Sequence, residues 1–277
     1  MVLHDAGHDP ALDDLDLVPP APIEVVAGDG TLLHGMVYEP VGDGPHPLVV
    51  WTYGGPSVHL VTDGWGPTAA LRAQYLRQLG FAVAVVDGRG SSDRGLSFEG
   101  HLRHRMGTVE VDDQVALVEH LGDHGLPGGG AVDRDRVGIY GWSYGGYLSA
   151  LCLARRPDVF AAACAGAPVT SWDGYDTHYT ERYMGTPASN PNGYAQGSVM
   201  THVEGMRDRR LLLIHGLIDE NVHFRHSARL LNALHRAGID HELVLYPDER
   251  HTPRGEDDRR AMEERVASFF LDTLTST

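Results

Sequence analysis

The sequence predicts an α/β fold, a mostly parallel sheet with helices on both of its faces and one antiparallel hairpin at its N-terminal side. Three observations carry this expectation. Uniformly apolar segments of strand length recur along the chain, as strands buried on both faces require. Segments of helical period separate them, the alternation that builds parallel sheets. A single hairpin signal occurs near the start, where IEVVAGDGTLLHGMVYEP alternates apolar and polar residues around Gly28-Asp29-Gly30.

The elements follow in order. Residues 1–22 read as an irregular arm and 23–277 as one α/β domain, with the hairpin over 23–39. Buried strands are expected at 48–53 (LVVWTY), 81–87 (FAVAVVD), 136–141 (RVGIYG), 159–166 (VFAAACAG), 211–216 (LLLIHG) and 241–247 (HELVLYP). Helical spacing covers 67–79, 108–121, 147–154, 223–236 and 257–274. Residues 168–208 lack a clear period and are expected to form helical turns over one end of the sheet.

Composition excludes several classes. The net charge is −16, and every one of the 22 basic residues is arginine. Such a surface argues against nucleic acid, which needs basic patches. No window approaches the roughly 18 uncharged apolar residues of a membrane span. The first residues are acidic and lack the basic start and apolar core of a signal peptide. The expected location is therefore cytoplasmic, or periplasmic or secreted if a signal was removed before residue 1. Cys152 and Cys164 lie in apolar runs and read as buried free thiols. His101/His104 and His4/His8 have helical spacing but no cysteine or carboxylate partner, so neither a metal nor any other cofactor is expected.

The chemistry begins at Gly141-Trp142-Ser143-Tyr144-Gly145. A G-x-S-x-G pentapeptide between a strand and a helix is the nucleophile elbow of the α/β-hydrolase fold. The two glycines remove the Cβ atoms that would collide where strand and helix pass closely. The fold orders its triad as serine, acid, histidine, the last two on loops after later strands. Asp219 follows strand 211–216 and His251 follows strand 241–247, at the carboxyl edge where open parallel sheets bind ligands. Ser143 is thus the expected nucleophile, His251 the general base, and Asp219 the residue that orients the imidazole. Glu220, and less well Asp248 and Glu249, are rival acids; His215 and His223 are rival bases, His215 reading rather as a core residue. Tyr53-Gly54-Gly55-Pro56 ends the first buried strand, where a second oxyanion donor usually sits beside the Tyr144 N–H. That donor is either a backbone N–H or the phenol of Tyr53.

These residues and their neighbours resemble the catalytic domain of the prolyl oligopeptidase family of serine peptidases, in its dipeptidyl peptidase IV branch. The resemblance covers roughly 23–275: YGGPSVHLV (53–61), DGRGSSDRG (87–95), GWSYGG (141–146), AGAPVTSW (165–172), YDTHYTERYMG (175–185), HGLIDENVHF (215–224) and YPDERH (246–251). RGLSFEG (94–100) and VEVDDQV (109–115) are similar to the cytosolic members of that branch. The resemblance implies that the Tyr53 phenol is the second oxyanion donor. It also implies that Tyr144, Val169, Trp172, Tyr175, Tyr179 and Val222 wall a small apolar slot for proline. Tyr175 and Asn221 then meet the amine end and a carbonyl of the peptide.

The sequence departs from the family in two places. Asp173-Gly174 differs at the pocket rim. The family's N-terminal β-propeller, which clamps the free amino terminus with a glutamate pair, finds no room in these residues, and Asp13-Asp14 does not match that pair, so the chain reads either as an excised catalytic domain or as one that acts alone. The expected function is cleavage of peptides after proline or alanine near a free N-terminus, through an acyl-enzyme. The alternatives are a broader esterase or acyl-peptide hydrolase with an open site, and a non-catalytic remnant of the fold. A homodimer is implied by resemblance only.

Overall fold

The structure is a computed structural model that describes residues 12, 14–42 and 44–275; His4, His8 and Asp13 lie outside them. The chain enters an antiparallel hairpin, β1 (Ala21–Val26) and β2 (Leu32–Tyr38). The turn closes with Gly30 at φ 87° and with the Thr31 N–H donating to the Asp29 carboxylate. Next come β3 (His46–Trp51), α1 (Trp65–Thr68), α2 (Leu71–Gln78), β4 (Ala82–Asp87), α3 (Leu96–Glu99) and α4 (Val109–His124). The second half runs β5 (Val132–Trp142), α5 (Tyr144–Arg155), β6 (Ala162–Gly166), α6 (Thr177–Met184), α7 (Pro191–Gln196), β7 (Arg210–Gly216), α8 (Arg225–Ala237), β8 (Glu242–Tyr246) and α9 (Glu256–Leu274).

The strands form one eight-stranded sheet in the order β1-β2-β4-β3-β5-β6-β7-β8. Pairing is antiparallel from β1 through β2 to β4 and parallel from β4 to β8. Strand alternation divides the core in two. Leu48, Val50, Ala84, Ile139, Ala163 and Leu213 face α4, α5 and α8. Val49, Val83, Val85, Cys164 and Leu212 face α2 and α9. Both cysteines are buried free thiols. The expected parallel sheet with two covered faces is therefore the observed one.

Several boundaries differ from the sequence reading, among them the starts of β5, at Val132 rather than 136, and β6, at Ala162 rather than 159. The helix expected over 67–79 is broken into α1 and α2, because Ala70 adopts ψ 79°. The Gln74 side chain donates to the Thr68 carbonyl that the break exposes, and also holds Val18 of the N-terminal arm. A tertiary contact thus replaces the helical hydrogen bond. β1 begins at Ala21 rather than 23, and α5 begins at Tyr144 rather than 147. Residues 168–208 form α6, α7 and two 3₁₀ segments, Trp172–Gly174 and Val199–Met206.

From β3 the chain crosses to β4 on one side, and from β5 onward it builds the other side. Such a reversal opens a crevice at the carboxyl ends of the two central strands. Tyr53 and Ser143 follow those ends.

Candidate active site

Ser143 sits alone between β5 and α5 with φ 60° and ψ −115°, a conformation that strains any residue but glycine. Close packing around the turn forces this arrangement. A Cβ on Gly141 would lie 2.4 Å from the Thr52 carbonyl, and one on Gly145 would lie 2.2 Å from the same oxygen. Only glycine on both sides of the serine lets the first turn of α5 cross the end of β3. The Ser143 N–H donates to Gly166 O at 2.8 Å and fixes the turn to β6. The amide of Tyr144 opens helix α5, so its N–H and the helix dipole lie beside the serine.

Asp219 and His251 meet as their strand ends predict. His251 Nδ1 donates to Asp219 Oδ2 at 2.7 Å. The Asp219 side chain is fully buried, whereas that of His251 keeps 26% of its surface exposed. Asp219 Oδ1 accepts the N–H groups of Asn221 and Val222, both at 2.9 Å. Burial opposes ionisation here, but the hydrogen bonds from His215 and His251 outweigh it and hold the carboxyl well below the usual carboxylate range. An acid so fixed locks the imidazole with Nδ1 protonated and Nε2 free to accept. The indole of Trp142, the residue before the nucleophile, donates to His251 O at 2.7 Å. This bond ties the loop of the base to the elbow. The Ser143 hydroxyl makes no hydrogen bond to the imidazole among the described contacts; such contacts in ligand-free triads tighten as substrate binds.

The rivals are otherwise engaged. His215 is fully buried, with Nδ1 on Ser227 Oγ and Nε2 on Val222 O, each at 2.8 Å, and Nε2 3.3 Å from Asp219 Oδ2. It is the core residue that the sequence reading expected, and it braces the acid from behind. His223 Nδ1 lies against Asp219 O. Glu220 pairs with Arg250. Glu249 accepts from the Arg254 and Gly255 N–H groups and shapes the loop after His251.

Tyr53 stands two residues past β3, its ring 6.0 Å from that of Tyr144. Burial, with the Tyr183 phenol nearby, pushes its pKa up and keeps it a protonated donor. No described group accepts from its hydroxyl. Beyond it lies an aromatic cluster: Trp172 is 5.3 Å from Tyr144, 6.0 Å from Tyr175 and 6.3 Å from Tyr179 between ring centroids. Val169 and Val222 are buried in the same apolar cluster. The Tyr175 hydroxyl donates to Asn221 Oδ1 at 2.9 Å, linking the two residues expected to meet the peptide. Both line a cavity of about 330 Å³ with Gly174, Asp176, Tyr179 and Arg225. At the divergent rim, His226 accepts from Thr170 N–H at Nδ1 and reaches the Gly174 carbonyl with Nε2. Burial pushes its pKa down to about 4, so the ring stays neutral.

Among the described residues no cluster of three histidine, cysteine or acidic side chains could hold a metal ion. One buried group here had no place in the sequence reading. Glu110, fully buried, accepts from the Tyr144 hydroxyl at 2.8 Å. It lies in the VEVDDQV segment, which carried only a family likeness.

A strained serine between strand and helix, with a bonded acid–histidine pair on later loops of the same sheet edge, defines the α/β-hydrolase class. The chain belongs to the prolyl oligopeptidase family, whose model matches residues 67–277. It is 44% identical to dipeptidyl peptidase 8 of Mus musculus over 266 residues, 94% of this chain. It is 37% identical to prolyl endopeptidase FAP of Bos taurus over 228 residues, 80% of this chain. It spans 29% of the length of each of these relatives. Among solved structures, a Bacteroides ovatus protein described as a dipeptidyl aminopeptidase IV superposes with a TM-score of 0.89 at 33% identity, over 96% of this chain and 37% of that one. Dipeptidyl peptidase 4 of Porphyromonas gingivalis gives 0.83 at 32%, over 92% and 36%.

Proposed function

We propose that this chain is the catalytic unit of a serine peptidase that cleaves after proline or alanine near a free amino terminus. The observation that carries the reading is the Asp219–His251 hydrogen bond of 2.7 Å on loops tied to the Ser143 elbow. His251 Nε2 takes the hydroxyl proton as Ser143 Oγ attacks the scissile carbonyl. The oxyanion that forms is met by the Tyr144 N–H and the Tyr53 phenol. The imidazolium, stabilised by Asp219, then returns the proton to the leaving amine. An acyl-enzyme on Ser143 remains, and water activated by the same histidine hydrolyses it. The aromatic cluster supports proline selection, since a flat saturated ring packs well among aromatic faces. Tyr175 and Asn221, bonded to each other at the same cavity, receive the peptide's amine end and carbonyl in this reading.

The relatives' names include both a dipeptidyl peptidase and a prolyl endopeptidase. The test therefore compares Gly-Pro and Ala-Pro chromogenic amides, with free and blocked amino termini, beside short-chain esters. Turnover of the free-terminus amides is expected to exceed that of the blocked ones. Ester hydrolysis without amide hydrolysis would replace the peptidase reading with an esterase, and equal rates on blocked and free termini would favour an acyl-peptide hydrolase. Failure of a fluorophosphonate to label Ser143 would leave a non-catalytic fold. Two further parts of the reading are a cytoplasmic location and a homodimer, the latter tested by sedimentation velocity.

A further inference from the structure

Glu110 is a fully buried acid beside the proposed pocket that takes no part in the proton transfers above. Its carboxylate is held at the N-terminus of α4: Oε1 accepts the Gly107 N–H at 2.7 Å and Oε2 the Thr108 N–H at 2.9 Å. The Tyr144 hydroxyl makes a third donor, at 2.8 Å from Oε1. All the described hydrogen bonds thus run toward the carboxylate, and it has no proton to give in return. At its other end the Tyr144 ring is wedged. A Cβ on Gly55 would lie 2.7 Å from Tyr144 Cγ and 2.8 Å from Tyr53 Cε1. The ring's remaining neighbours are Tyr147 and Trp172, each 5.3 Å away. One anchored ring therefore touches the oxyanion loop on one side and the slot on the other.

We propose that Glu110 sets the proline preference of this site by holding the Tyr144 ring against Gly55 and Trp172; the proposal rests on the peptidase reading. Glu110 is a positioning residue that acts through Tyr144. With the anchor intact, the slot keeps the width of a five-membered ring. Without it, the phenol has no acceptor in a dry site and the ring shifts, so the slot fits proline no better than alanine. Discrimination of this size in an apolar pocket is worth about 10–200-fold, so loss of the anchor is expected to lower the proline-over-alanine ratio about tenfold or more.

The anchor is also sensitive to protonation. The groups facing Glu110 are Tyr144, Tyr147 and Cys152 from α5 and Tyr179 from α6. Burial pushes all four up, so they stay neutral, and Arg155 is engaged on the Gly107 carbonyl. Burial likewise pushes the Glu110 pKa up to about 7, against the Gly107, Glu110 and Thr108 N–H groups and the Tyr144 hydroxyl, which favour the charged form. As pH falls through that value the Tyr144 hydroxyl faces a neutral carboxyl in place of a charged acceptor, and the anchor weakens.

The experiment measures kcat/KM for Ala-Pro and Ala-Ala amides between pH 5.5 and 8.5. Both substrates are cleaved by the same three groups, so their ratio cancels the triad and reports the slot. In the wild type the ratio is expected to rise with pH through about 7. In Glu110→Gln, and in Tyr144→Phe, which keeps the ring but removes the phenol, the ratio is expected to be low and flat. The double variant is expected to lose no more than either single one. A helix cap of merely structural importance would lower both substrates together and leave the ratio alone. Thermal melting establishes that each variant is folded, and Tyr144→Phe carries the test if Glu110→Gln is not. Wild-type proline preference that persists at every pH in a folded variant overturns the inference and leaves the peptidase reading standing. A wild-type enzyme without proline preference overturns both.

Discussion

At the scale of single residues, the triad assigns separable tasks. Ser143→Ala removes one oxygen from a turn held by backbone bonds, so its melting temperature should match the wild type. Its turnover should fall by about 10⁴–10⁶-fold, because triad members act as a unit; an active-site titration checks both. Asp219→Asn should lower kcat about 10⁴-fold by releasing the imidazole tautomer. It should also alter acid stability, and the sign follows from the depressed folded pKa of Asp219. The stability this carboxylate contributes is fully present above its unfolded value near pH 4 and is lost as pH falls toward the folded value. The melting temperature of Asp219→Asn should therefore approach that of the wild type in acid and lie below it at neutral pH. A constant gap between the two curves would contradict the hydrogen-bonded carboxylate. The strained Ser143 and the Asp219–His251 pair were legible in the sequence because each residue lies within a few positions of an apolar strand end, and strand ends fix position. The contacts of Glu110 and His215 were not. Their partners lie across packed elements, Tyr144 for the first and Asp219 beside the second, and no periodicity encodes such contacts.

At the scale of elements, apolar runs gave the strands and their shared edge, since a segment buried on both faces has no polar position to spare. The same reasoning failed at α1 and α2, where the local pattern is continuous over 67–79 and only the arm and Gln74 reveal the break. Propensity is a weak prior against such contacts. The α5 boundary moved for a related reason: Gly145 and Gly146 are poor helix formers, yet the packing of α5 on β3 and β6 keeps them helical. Gly145→Ala tests that packing. Its Cβ would lie 2.2 Å from the Thr52 carbonyl, whose residue leads into Tyr53. Overpacking of this kind costs about 1–3 kcal/mol. The melting temperature should drop, and turnover should drop with it as the oxyanion loop is displaced. An unchanged melting curve would show that β3 yields more easily than its central place allows.

At the scale of the whole molecule, 38 acidic residues face 22 arginines. Self-repulsion of the net charge opposes the compact state, and salt screens it. Raising sodium chloride from about 20 mM toward roughly 150 mM, where the Debye length falls to about 8 Å, should raise the melting temperature. A decrease would mean that the arginine ion pairs outweigh the repulsion. No helix among the described residues is long and apolar enough to cross a membrane. The two-layered covering of the sheet was readable from the alternation of strands and helices, but the order of the strands was not, because crossovers leave no mark in a single sequence.

Tyr175, Tyr179 and Tyr183 lie four residues apart on and just before α6, outside every strand of the sheet. In the proposed reading, part of recognition is thereby borne on a stretch of the polypeptide separate from the reacting groups. On that reading, descendants of such a chain can exchange aromatic groups along one helix, and acquire new preferences, while the strand ends proposed to break the bond stay untouched.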